Sequence, residues 1–104
     1  MNQRELEVLN IICAAKEPVT STDIVNCKRD LTQSTVIAVL RRLLGMGAVE
    51  VAGVTHSGKV LSRTYVPGPK AKEKISQYYE EEFARTKDIL SADDIREIVA
   101  RVYG

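Results

Sequence analysis

Apolar residues along this chain fall into three helical stripes, then an alternating stretch, then two further helical stripes. From Gln3 to about Lys16, Leu6, Leu9, Ile12 and Cys13, with Val8 and Ile11 at the margins, recur at helical spacing and predict a first core helix stopped by Pro18. Glu17-Pro18-Val19-Thr20 leads to a short second helix, capped by Ser21 or Thr22 and reaching about Lys28. Its Ile24, Val25 and Cys27 are too few to make it stable alone, so it must pack on a neighbour. The third stretch, Thr32 to Gly47, has two distinct faces. At about 100° per residue, Val36, Leu40 and Leu43 share one side with Val39 and Leu44 flanking, while Ser34, Ala38, Arg41 and Gly45 lie opposite, Thr35 and Arg42 at the edge. Thr32 is the expected N-cap and Gly47 the expected stop.

Between the second and third helices, Arg29-Asp30-Leu31 has helix-turn-helix length, with Leu31 as a buried hinge, but lacks the glycine often found there. After Gly47 the period changes to two. Ala48–Val54 and Val60–Val66 flank Thr55-His56-Ser57-Gly58-Lys59 and predict a β-hairpin whose tip carries His56, Ser57, Gly58 and Lys59. Pro67-Gly68-Pro69 ends it. Lys70 to about Lys87 forms a charged helix with Ala71, Ile75, Tyr78, Tyr79 and Phe83 in a stripe. Its cations come early and Glu80, Glu81 and Glu82 late, against the helix dipole, so packing must hold it. Ser91 caps a last helix to about Tyr103, with Asp93 and Asp94 in its first turn and Ile95, Ile98, Val99 and Val102 as its stripe.

The expected fold is mainly α with a small antiparallel β-hairpin wing. Residues 1–69 make a winged helix-turn-helix unit, and 70–104 a helical region too thin for its own core. Pairing with a second chain would complete it, which assigns Ile75, Tyr78, Tyr79, Phe83, Ile95, Ile98, Val99 and Val102 to a dimer interface.

The outer face of the third helix is small and polar at its start and cationic one to two turns later, as a helix entering a DNA major groove requires. Ser34, Thr35, Ala38 and Arg41 are the candidates to face bases. Arg42 and Lys59, with Ser21 and Thr22, are candidates for phosphates, and Gln33, His56 and Arg63 complete the set. Composition adds little to this. Fifteen Lys/Arg against fourteen Asp/Glu leave a net charge of +1, and residues 1–69 carry eight cations against six acids, so DNA binding must come from local placement. Near-neutrality equally suits a winged-helix module that docks protein.

Other chemistry is thinly provided. The start Met1-Asn2-Gln3-Arg4-Glu5 runs into an acidic amphipathic helix instead of a secretory leader, and no apolar run approaches the roughly 20 residues of a membrane span, so a cytoplasmic location is expected. Cys13 and Cys27 are expected as buried thiols with no further soft ligands at suitable spacing, hence no metal site. With one histidine and no nucleophile triad, carboxylate pair or glycine-rich phosphate loop, neither an enzyme nor a cofactor is expected.

Thr35-Val36, Val39-Leu40-Arg41-Arg42-Leu43, Gly47 before an apolar strand, and Arg63-Thr64-Tyr65-Val66-Pro67 resemble, in order and spacing, signatures of the penicillinase-repressor family of winged-helix regulators. The similarity covers roughly Gln3 to Pro67; the C-terminal helices match in kind. The resemblance implies a homodimer joined through those helices, bound to a palindromic double-stranded DNA operator and blocking transcription. Ala38 stands where the family usually has a polar residue, and Leu44-Gly45-Met46 replaces a lysine-rich helix end, departures that imply weaker phosphate binding or a different operator. The chain lacks both the cysteine-rich tail of copper-responsive members and an Asn-Phe pair of the kind cleaved in β-lactam repressors. No sensor or protease partner is therefore carried over.

Overall fold

The computed structural model describes all 104 residues, the side chain of Ser57 excepted, so any role of that side chain at the wing tip lies outside the described residues. Helices α1 (Gln3–Ala14), α2 (Ser21–Cys27) and α3 (Gln33–Met46) precede an antiparallel hairpin of β1 (Val49–Ser57) and β2 (Val60–Pro67), and α4 (Ala71–Thr86) and α5 (Ala92–Tyr103) follow. This is the expected winged helix-turn-helix with two appended helices.

The core forms where α1, α2 and α3 meet. Val8, Leu9 and Ile12 of α1, Ile24 of α2, the hinge Leu31, and Val36, Val39, Leu40 and Leu43 of α3 are buried together with Ala48 and Val49 at the wing root. The face of α1 is rotated from the expected one. Val8 is fully buried while Cys13 is exposed, because Glu5, only 5% exposed, occupies the middle of the inward face. Helix α1 also ends at Ala14, two residues early. Cys27 is exposed too, so neither cysteine is the buried thiol expected. Partial burial of the Cys13 sulfur pushes its pKa up, away from thiolate reactivity.

Capping boxes fix three helix starts: Asn2 with Glu5, Thr20 with Asp23, and Ser91 with Asp94. The cap of α2 is Thr20 instead of Ser21 or Thr22, because only Thr20 has an acid three residues on to return the bond. Thr32 caps α3 as expected, and Gly47 ends it in the left-handed region at φ 74°. The turn between α2 and α3 needs no glycine. Leu31 N–H donates to the Lys28 carbonyl at 3.0 Å, and among the described residues no non-glycine has positive φ.

The hairpin is longer than alternation alone suggests. β1 continues through His56, paired with Leu61, to Ser57, paired with Val60, leaving Gly58-Lys59 as a two-residue loop with φ +66° at Gly58. A bulge at Ala52 lies between Val51 and Gly53. Val19, in the α1–α2 connection, adds a bridge to Tyr65, with N–H···O distances of 3.1 and 2.8 Å, so the wing root is tied to the segment entering α2.

Three elements are laced together where α3 ends. Gly68 N–H donates to the Ala48 carbonyl at 2.8 Å and Lys70 N–H to the Gly47 carbonyl at 2.9 Å. A Cβ on Gly68 would collide with the Gly47 carbonyl oxygen and lie 2.9 Å from the Val49 nitrogen. From this knot α4 departs, burying Ala71 and packing Ile75 against the core. Beyond it, α5 buries no residue. The radius of gyration is 16.0 Å, against about 13 Å for a compact chain of this length, because α5 stands away from the core. Gly68→Ala is expected to cost about 1–3 kcal/mol in urea unfolding, because only backbone atoms could move to admit the methyl group. Unchanged stability would show that the knot yields freely.

Candidate nucleic-acid interface

Helix α3 separates its two tasks cleanly. Val36, Val39, Leu40 and Leu43 face the core, while Gln33, Ser34, Ala38 and Arg41 are exposed and Thr35 is half-buried. At its start, the Thr32 hydroxyl donates to Thr35 Oγ1 at 2.8 Å and accepts from the Thr35 amide at 3.2 Å. Gln33 Nε2 donates to the Ser21 hydroxyl, joining the first turns of α2 and α3. Ser21 thus has a local partner, whereas Thr22 beside it is exposed.

The arginines differ. Arg41 takes part in none of the ion pairs among the described residues, and the same holds for Lys59 at the hairpin loop and Arg63 on β2. Arg42, by contrast, points back to α1, its Nε donating to Glu5 Oε2 at 2.8 Å with half the side chain still exposed. This task was not legible in the charge pattern. Burial raises the Glu5 pKa, but the Asn2 amide and the Arg42 guanidinium outweigh it and hold the carboxyl below its ordinary value. His56 and Lys59 are exposed on the wing, His56 within strand β1 instead of the loop.

Two exposed residues were not anticipated at this surface. Arg29 lies in the turn ahead of α3, and Ile37, 44% exposed, sits on α3 between Ser34 and Arg41. Counting outward positions would have found Ile37; hydrophobicity argued against looking.

Of the expected dimer residues, Ile75 packs on its own core and Tyr78 and Ile95 are half-buried, while Tyr79, Phe83, Ile98, Val99 and Val102 are exposed. Tyr78, Tyr79, Phe83 and Leu90 line a groove of 410 Å³ with Leu6 and Asn10 of α1. Among the described residues, no group of three or more His, Cys, Asp or Glu side chains is placed to hold a metal ion, and no helix is long and apolar enough to cross a membrane.

A three-helix core with a wing, and a third helix polar on its outer face, defines a winged-helix protein. The penicillinase repressor family model matches residues 1–102, and the chain belongs to that family, one of DNA-binding transcription regulators. No curated protein sequence matches it. Among solved structures, a PadR family transcription regulator from hypervirulent Clostridium difficile is 13% identical, covering 99% of this chain and 100% of its own, with a TM-score of 0.60. The transcriptional regulator SlyA is 15% identical over 99% of this chain and 71% of its own, with a TM-score of 0.54. Dissimilatory sulfite reductase D is 18% identical over 72% of this chain and 99% of its own, at 0.50. These identities speak for the fold alone.

Arg42→Ala strands the Glu5 carboxylate and is expected to cost about 1–2 kcal/mol, allowing for solvent screening of the guanidinium. Because the folded-state pKa of Glu5 is depressed, its contribution is present above the unfolded carboxyl range and is lost as pH falls through the folded value. Glu5→Gln should therefore flatten the acid limb of the stability profile, read by thermal unfolding between neutral pH and below about pH 4.3. Parallel profiles for Glu5→Gln and the parent would remove the ion pair from the account.

Proposed function

We propose that this chain is a cytoplasmic, homodimeric repressor that binds a palindromic operator through its residues 1–69 and dimerises through 70–104. The observation that carries the DNA reading is the outward face of α3. Ser34, Ala38 and Arg41 are exposed on a helix whose other side is fully committed to the core, and Arg41 has no ion-pair partner among the described residues. Ser34, Thr35, Ala38 and Arg41 face bases, with Gln33 at the helix start, while Lys59, Arg63, His56, Ser21 and Thr22 approach phosphates. Arg42 seats α3 on α1 and offers the exposed half of its guanidinium to the backbone of the duplex.

Dimerisation is supported by α5. A helix that keeps Ile95, Ile98, Val99 and Val102 on one side yet buries none of them lacks its partner within the chain. A second copy supplies that partner, the adjoining α1–α4 groove extending the surface toward the winged-helix unit.

A protein-docking module is the second reading. It is favoured by the +1 net charge and by Val54, Val60 and Leu61 exposed on the wing. Fluorescence anisotropy over a salt series separates the two. Arg41→Ala should lose about 1–3 kcal/mol of discrimination at one base pair, whereas Lys59→Ala should weaken all duplexes alike and reduce the salt slope by about 0.9 per contact. Equal losses for Arg41→Ala on operator and random duplex would end its base-reading role. In sedimentation equilibrium, Ile98→Asp should weaken self-association by at least about tenfold. A parent chain that is monomeric at tens of micromolar would overturn the dimer.

A further inference from the structure

The outer side of α3 carries one large apolar side chain, Ile37, on its flank. Ile37 is one turn beyond Ser34 and one turn before Arg41, and helical geometry puts it about 50° to one side of the Ser34–Arg41 line, with Ala38 about 50° to the other. Ile37 is 44% exposed although Val36, its neighbour in sequence, is fully buried. The isoleucine lies at the border between the core stripe, where Leu44 is half-buried, and the outer face, with nearly half of its surface open. Its side chain borders the Ser34–Arg41 line, close enough to reach what those two residues meet. The wing valines and Leu61 have no such frame, since nothing on the hairpin fixes what lies against them.

Resting on the reading that this face enters a major groove, the chemistry of the groove narrows what Ile37 can meet. Base-pair edges there are hydrogen-bond donors and acceptors with one apolar exception, the C5-methyl group of thymine. An isoleucine pressed on cytosine N4 or guanine O6 and N7 strips their water and returns no hydrogen bond, so a G·C pair is penalised. Against a thymine methyl the same side chain buries two apolar surfaces at once. Its β-branching leaves few rotamers in a helix, so little freedom is lost in the contact. Ala38, with no polar atom beyond the backbone, lets the helix axis come close enough for the branched side chain to reach.

We propose that Ile37 is a specificity-determining residue that reads a thymine methyl group near the centre of each half-site. The contact predicts that the preferred operator carries thymine opposite the middle of α3. It also predicts that the preference rests on the methyl group and not on pairing, because uracil presents the same hydrogen-bonding edge without it.

The test uses the full chain and the duplex it selects from a random pool. Each thymine is replaced singly by deoxyuridine, and binding is read by anisotropy for the parent and for Ile37→Ala, a surface substitution that favours the helix. In the parent, one position per half-site should lose about fourfold in affinity, the value of one buried methyl group. Ile37→Ala should bind the thymine and uracil duplexes equally and keep its affinity for random duplex. Tolerance of uracil at every position, with operator still preferred over random DNA, overturns this inference and leaves the repressor reading standing. A uracil penalty of the same size in Ile37→Ala likewise overturns it, by giving the methyl contact to another residue. A chain that prefers no duplex over random DNA overturns both.

Discussion

The close approach of Gly47 and Gly68 is the constraint through which the other parts of the molecule are placed. Gly47 can turn the chain out of α3 because it tolerates positive φ, and Gly68 can pass over it because it has no Cβ to strike the carbonyl. The hydrogen bonds to Ala48 and Gly47 then set the root of the wing and the start of α4 at one point. As a result the helix that would carry the chain to its dimer partner leaves from the same backbone knot that ends the candidate recognition helix. No flexible linker intervenes. In the proposed dimer, such a junction would make the separation and tilt of the two α3 helices a property of the fold, which reading two half-sites at a fixed spacing requires.

A second constraint acts at the other side of α3. The helix must give one face wholly to the core, or its outer face would not be held in a defined orientation. Val36, Val39, Leu40 and Leu43 supply the apolar part of that attachment, and the Arg42–Glu5 pair supplies a directional one across to α1. The carboxylate is affordable in the interior because the Asn2 amide and the Arg42 guanidinium both bond to it. The same two oxygens cap α1 and anchor α3, so a polar residue at the centre of a core-facing stripe serves two helices.

Much of this was legible in the sequence. The faces of α3, its Thr32 and Gly47 boundaries, the hairpin and the Ser91 cap all follow from local pattern, because each depends on neighbours within a few residues. What escaped depends on partners far along the chain. Glu5 reads as a solvated acid until Arg42, 37 residues on, is brought against it. Val19 reads as connection until Tyr65 arrives to pair with it. Cys13 and Cys27 look buried by hydrophobicity, and the rotated face of α1 left Cys13 outside. For Thr20 the signal was present in the Thr-x-x-Asp spacing and only needed preference over the neighbouring hydroxyls. Ile37 was hidden for another reason, since a pattern that equates apolar with inward cannot show an apolar residue placed for a partner.

The account stands on the outer face of α3 meeting a duplex, with two copies acting together. Selection of bound duplexes from a random pool by the purified full chain tests this most directly, since it presupposes neither operator nor spacing. The account predicts enrichment of an inverted repeat whose half-site centres lie one helical turn, about 10–10.5 base pairs, or a multiple of it apart. Recovery of no sequence above the starting pool, or of an unpaired motif bound by a single copy, would contradict it.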